Sequence, residues 1–169
     1  MLGSSNAPRE PDKMENVLAT QLLELSQLIR KARQQWLRER PDVPIGTVSI
    51  LKLIDEIGTA ADGGCHAKDL AERSGLDPST VSRAVAAAVG QGLVERRVDN
   101  ADRRASTLAL TPAGRDLLAA ASAWFSALIG RALADWPAGD AERVSCDLGR
   151  LVAAFSAVLE ETHTLEAAR

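Results

Sequence analysis

Between residues 67 and 80 the chain leaves itself little choice of structure. The octet Ala67-Lys68-Asp69-Leu70-Ala71-Glu72-Arg73-Ser74 puts Leu70 and Ala71 on one face of a helix and its charges on the others. Gly75 follows at once, where a left-handed residue ends a helix. After Leu76 comes Asp77-Pro78, an acceptor for an N-cap and a ring suited to a first helical turn. A second helix must start there, with Val81, Val85, Ala88 and Val89 at helical spacing. Two helices joined so tightly through a glycine form a helix-turn-helix, whose second helix is the one that enters a DNA major groove.

The opening turns of that second helix carry Ser79, Thr80, Ser82 and Arg83. A helix N-terminus presents unpaired N–H groups and partial positive charge, and short hydroxyl side chains let its backbone approach phosphate. Arg83 suits either a base edge or a phosphate, since a guanidinium binds guanine O6 and N7 through two hydrogen bonds. Taken alone, the hydroxyls read equally well as caps of a solvated helix. Beyond Gly90-Gln91-Gly92, residues 94–98 alternate as a strand, Asp99-Asn100-Ala101-Asp102 supplies turn chemistry, and Ser106 to Leu110 returns with Leu108 and Leu110 on one face. Arg103 and Arg104 fall at the tip of this hairpin. Arginines at a wing tip suit a narrow minor groove, where negative potential is strongest. The plainer reading is a solvated hairpin whose charges protect its edge.

The order of these parts, with Asp77-Pro78-Ser79-Thr80-Val81-Ser82-Arg83, Gly92-Leu93-Val94-Glu95-Arg96, Asp102-Arg103-Arg104-Ala105-Ser106 and Leu108-Ala109-Leu110-Thr111-Pro112-Ala113-Gly114, resembles the winged helix-turn-helix of the MarR family of bacterial transcription regulators. The family's wing motif is aspartate, any residue, arginine, and Asp102 and Arg104 match it. The resemblance implies that Asp102 orients Arg104 toward the minor groove while Arg103 meets phosphates. It implies further that the terminal helices form a homodimer on a pseudo-palindromic double-stranded operator. A small aromatic or phenolic effector is expected to occupy the crevice beside those helices. Trp36 and Trp124, with Arg30 and Arg33 for an anionic group, are the candidates to line it, although tryptophans at helical spacing also read as core.

The flanks fit that outline. Leu18, Leu22, Leu25, Ile29, Ala32 and Trp36 make a heptad-like seam in a helix expected from Met14 to Arg40. A helix from Ile45 to Ile57 follows, with Ile50, Leu51, Ile54 and Ile57 as its buried stripe, and Gly58 to Gly64 reads as a flexible connector. After the wing, a helix from Pro112 to about Asp135 carries Leu118, Ala121, Phe125, Leu128 and Ala132. Another, extending to about Leu165, carries Val144, Leu148, Leu151, Phe155 and Val158. Burying such side chains yields roughly 1.5 to 3 kcal/mol each, a gain that packing against a second chain would realise. An intrachain bundle is the rival arrangement. With aromatics at 3% and alanine abundant, the expected fold class is mainly α with a small β-hairpin wing. Residues 1–13 read as a mobile tail, 14–40 as an N-terminal dimerisation helix, 44–111 as the winged helix-turn-helix and 112–169 as C-terminal dimerisation helices.

A formal charge of −3 is at odds with a DNA binder until its distribution is considered. Residues 67–104 hold seven basic against six acidic side chains, and residues 111–169 hold five arginines against eight acids. The acidic surplus therefore belongs to the C-terminal segment. Chemistry has few candidates. Cys65-His66 is the one adjacent cysteine and histidine pair, while Cys146 and His163 are remote, so no metal or cofactor is expected. Cys65, just before a helix N-terminus, has a lowered pKa if it is a sensing thiol, whereas the hydroperoxide-sensing branch of the family keeps its cysteine in the first helix, where this chain has none. Both thiols are expected buried or half-buried in a cytoplasmic protein, given no signal peptide and no membrane span. No nucleotide loop, nucleophile elbow or acid–base constellation appears, so no catalytic residue is assigned. Two alternatives stay open: a winged-helix protein-interaction module and a thiol-based redox sensor.

Overall fold

The computed structural model describes residues 10–44, 46–60, 64–98 and 106–167. In chain order the elements are α1 (Glu10–Arg38), α2 (Thr47–Ala60), α3 (Ala67–Ser74), α4 (Pro78–Gly90), β1 (Val94–Val98), β2 (Ser106–Leu110), α5 (Pro112–Ala132) and α6 (Asp140–Ala167). The mainly helical class with one hairpin is thus present. Two compact units divide the chain, Met1–Leu118 and Ala119–Arg169.

The first unit holds the core. Leu51 and Ile54 from α2, Cys65, Leu70 from α3, and Val81 and Val85 from α4 are almost wholly excluded from solvent. Ile50, Ile57, Ala88, Val94, Leu108 and Leu110 complete the cluster. The stripe expected on α2 is therefore the buried one, and it packs on α3, α4 and β2. Each branched side chain buried there contributes on the order of 1.5 to 3 kcal/mol. Asp69 accepts the His66 backbone N–H at 3.0 Å to start α3, and Gly75, at φ 64°, ends it in the left-handed conformation its sequence position demands. The strands pair antiparallel, with Val94 opposite Leu110 and Val98 opposite Ser106. A bridge from Cys65 to Leu108 adds a short third edge.

Several boundaries differ from expectation. Helix α1 begins at Glu10 rather than Met14, because Pro11 in a first turn forfeits no helical hydrogen bond. Helix α2 runs on through Gly58, Thr59 and Ala60, which had read as connector. The Thr59 hydroxyl satisfies itself on the Asp55 carbonyl at 2.8 Å, so the helix costs it nothing. Helix α5 stops at Ala132 instead of near Asp135, its last turn loosening into Trp136-Pro137, while α6 extends to Ala167.

The seams of the long helices are only partly covered within one chain. On α1, Leu18 and Leu25 are about 45% exposed, Leu22, Ile29 and Ala32 are half-buried, and Trp36 is buried. On α6, Val144, Leu148, Phe155 and Val158 are all exposed.

Candidate nucleic-acid interface

Asp77 caps α4 from an extended backbone. One carboxylate oxygen accepts the Thr80 backbone N–H at 2.9 Å and the Ser79 hydroxyl at 2.6 Å, and the other accepts the Thr80 hydroxyl at 2.6 Å. The Ser79 hydroxyl bond, followed by those from Thr80, holds the Asp77 carboxyl well below the usual carboxylate range. The hydroxyls of Ser79 and Thr80 thus bond the chain's own carboxylate at the helix end. A fixed negative charge there suits the helix dipole but repels a phosphate.

Ser82 and Arg83 are exposed. Arg83 folds back along α4, its Nε 3.3 Å from the Ser79 carbonyl and its Nη2 3.4 Å from the Ser79 hydroxyl, contacts long enough to be exchanged for better ones. Its guanidinium is thus parked one turn toward the helix start, within a side chain's swing of whatever lies against that end.

The wing stem is an ordered ladder that ends on Val98 and Ser106. Asp102, Arg103 and Arg104 lie outside the described residues, as does the whole turn between the strands. The stem carries two exposed arginines that were counted as charge in the sequence but given no role. Arg97 bonds Glu95 through Nε at 2.8 Å and Nη2 at 2.5 Å, so its charge is locally balanced. Arg96, opposite Leu108, points to the other face of the strand. The alternation Val94-Glu95-Arg96-Arg97-Val98 carries that distinction in the sequence.

The ligand-lining candidates divide between the two units. Arg30 and Arg33 lie exposed on α1. Trp36 is buried, with the Arg40 guanidinium 4.1 Å above its ring. Trp124 is half-buried in the second unit beside Phe125, ring centres 6.4 Å apart. An open cleft of about 240 Å³ in the first unit is lined instead by Asp55, Thr59, Arg97, Thr107 and Arg115 among others. It is smaller than the roughly 300 Å³ at which ligand pockets begin.

The two thiols part ways: Cys65 is buried as expected, and Cys146 is not. Cys65 is fully buried, and burial, with the Asp69 charge adding to it, pushes its pKa up to about 11, the reverse of what the sensing-thiol alternative needs. Cys146 is exposed rather than half-buried. Among the described residues, no group of three His, Cys, Asp or Glu side chains is placed to hold a metal ion, and no helix is long and apolar enough to cross a membrane.

Residues 52–105 match the family model described as MarR family. No curated protein matches the chain. Solved structures do. A MarR family protein from Bacillus stearothermophilus aligns at 16% identity over 89% of this chain and 99% of its own, with a TM-score of 0.76. The transcriptional regulator BldR from Sulfolobus solfataricus aligns at 23% identity over 86% and 99%, with a TM-score of 0.64. MepR from S. aureus, in a MepR–DNA complex, aligns at 19% identity over 81% and 98%, with a TM-score of 0.60. At these identities the likeness is one of fold.

Proposed function

We propose, from the match of residues 52–105 to the MarR family model, that the chain is a member of that family and a homodimeric DNA-binding transcription regulator that represses from a pseudo-palindromic operator. The observation that carries the reading is α4 itself: capped, seated on the core by Val81, Val85 and Ala88, and presenting Ser82 and Arg83 to solvent beside a basic wing stem. Ser82 and Arg83 face the major groove. Ser79 and Thr80 act there through the Asp77 cap, holding the helix start in shape. On the wing, Arg104 enters the minor groove braced by Asp102, and Arg103 meets the backbone. MepR, which shares the fold, has been solved with DNA.

Pairing of two chains is supported by the uncovered seams of α1 and α6, which one chain leaves in water. Two reading heads about one duplex turn apart then read a palindrome. Release follows when a small aromatic or phenolic effector changes the separation of the heads, with Arg30 and Arg33 available to its anionic group. A few kcal/mol of differential binding suffices for that switch.

Fluorescence anisotropy on random duplex tests the reading. Affinity should fall by about tenfold or more between about 50 and 200 mM salt, as counterion release requires. On a selected operator, Arg104→Ala should weaken binding by about 1 to 3 kcal/mol while the sedimentation of the dimer stays the same. Salt-independent or absent binding would refute the function, and unchanged affinity of Arg104→Ala would refute the wing assignment.

A further inference from the structure

The three residues that follow the recognition helix are held from two sides. Gln91 closes α4 in a helical conformation, φ −87° and ψ −1°, its backbone N–H on the Ala87 carbonyl at 3.0 Å. No hinge therefore separates α4 from the turn Gln91-Gly92-Leu93. From there the Gln91 side chain reaches far back in sequence, its Nε2 donating to the Asp42 carbonyl at 2.5 Å. Asp42 lies in the short link between α1 and α2, and that link is braced in turn. Arg40 stacks over Trp36 and donates from Nη1 to the Trp36 carbonyl at 3.2 Å, and the Val43 N–H donates to the Arg40 carbonyl at 3.0 Å. Among the described residues of α1, Trp36 alone is buried, so the helix is rooted at this end.

On its other side the same turn seats the start of α5. The Thr111 hydroxyl donates to the Gly92 carbonyl at 2.6 Å and accepts the Gly114 N–H at 3.1 Å, and the Thr111 N–H donates to the Leu93 carbonyl at 3.1 Å. A Cβ on Gly114 would stand 2.1 Å from that Leu93 oxygen, so the first turn of α5 presses on the turn with no side chain between. The link that follows α1 and the first turn of α5 thus both bond to one three-residue segment. An α4 of 13 residues is roughly 20 Å long, so a 5° rocking at its C-terminal end moves its reading end by roughly 2 Å. That displacement is enough to break a direct contact to a base.

We propose that the Gln91–Leu93 turn is the joint through which α1 and α5 together set the pitch of α4, with Gln91 and Thr111 as positioning residues that fix the spacing at which two reading heads accept a duplex. The proposal rests on the DNA-reading function and on paired chains. It makes a demand those alone do not: residues that touch no DNA control tolerance to half-site spacing. Loosening the joint leaves each head competent on its own half-site and relaxes only the geometry between the two.

The test uses a palindrome selected by the wild-type protein from random duplex. Beside it stand the same palindrome with one central base pair inserted and a duplex carrying a single half-site. The insertion turns one half-site by about 34° and shifts it by about 3.4 Å. Wild type should lose about tenfold or more on the inserted duplex, and Gln91→Ala/Thr111→Val about threefold or less, with half-site affinities equal within about twofold. Gln91→Lys, which keeps a donor of sufficient reach, should restore wild-type discrimination. Gln91 is exposed, so Gln91→Ala alone, expected to fall between wild type and the double variant, carries the test if Thr111→Val folds poorly. Equal discrimination by wild type and variants overturns the joint, and so does a uniform loss that includes the single half-site. Failure of the wild type to bind any duplex instead removes the DNA-reading function beneath it, a result distinct from either.

Discussion

Cys65 stands two residues before α3, where a thiolate exposed to the helix end would be stabilised. Its side chain turns inward instead, and its carbonyl accepts the Leu108 N–H at 2.7 Å, which ties the residue into the sheet edge. With its pKa raised from 9.0 to about 11, the folded state holds the thiol proton more tightly than the unfolded chain does. The resulting stabilisation is complete below pH 9.0 and is lost as pH rises through 11, the opposite of what a sensing thiolate needs. At about pH 8 an aromatic disulfide reagent should therefore label Cys146 and spare Cys65. One equivalent per native chain, rising to two in denaturant, is the expected titration. Rapid reaction of both thiols in the native protein would return the redox-sensor alternative to consideration.

At the scale of elements, the contact between α5 and the turn before β1 makes a stability prediction. Gly114→Ala drives a methyl into the Leu93 carbonyl, and because that obstacle is backbone, the first turn of α5 has to move. The expected loss is about 1 to 3 kcal/mol by urea unfolding, an overpacking cost. Gly58→Ala, whose new methyl meets nothing within 4 Å near the end of α2, should gain up to about 1 kcal/mol. If Gly114→Ala unfolds at the wild-type midpoint, the close approach is not a feature of the folded protein. The same elements mark what could be read from sequence. Helices α3 and α4 and both strands fall where expected because Gly75, Asp77-Pro78 and Gly92 punctuate the chain by local backbone chemistry. Helix α2 overran its expected end because Gly58-Thr59 reads as a breaker, and only the Thr59 bond to Asp55 shows why it is not one. The Asp77 network was half legible: the cap is a sequence signal, but the capture of both hydroxyls is a matter of rotamers. Nothing in the sequence joins Gln91 to Asp42, since that bond exists only after the core has brought the two loops together.

For the whole molecule, net charge works against the proposed partner. The formal charge is −3, so long-range attraction to a duplex is absent and binding depends on cations held within a Debye length, about 10 Å at 0.1 M salt. Arg97 is balanced by Glu95, and Arg83, Arg96, Arg103 and Arg104 are the cations of one reading head that the proposed contact uses. About four phosphate neutralisations per head give a slope of log affinity against log salt near −3.6, and two heads bound together give about −7. The difference is measurable, because from about 50 to 200 mM salt one head loses roughly a hundredfold and two lose roughly ten-thousandfold. Leu148→Glu separates the cases. Leu148 is 40% exposed in the single chain and sits mid-seam on α6, where a carboxylate buried by pairing would stand unpaired. The variant should sediment as a single chain and bind the selected palindrome with about half the wild-type slope, its reading head being unaltered. A variant that stays paired refutes α6 as the interface. One that becomes single yet keeps the full slope places the cations of one chain alone across the whole operator.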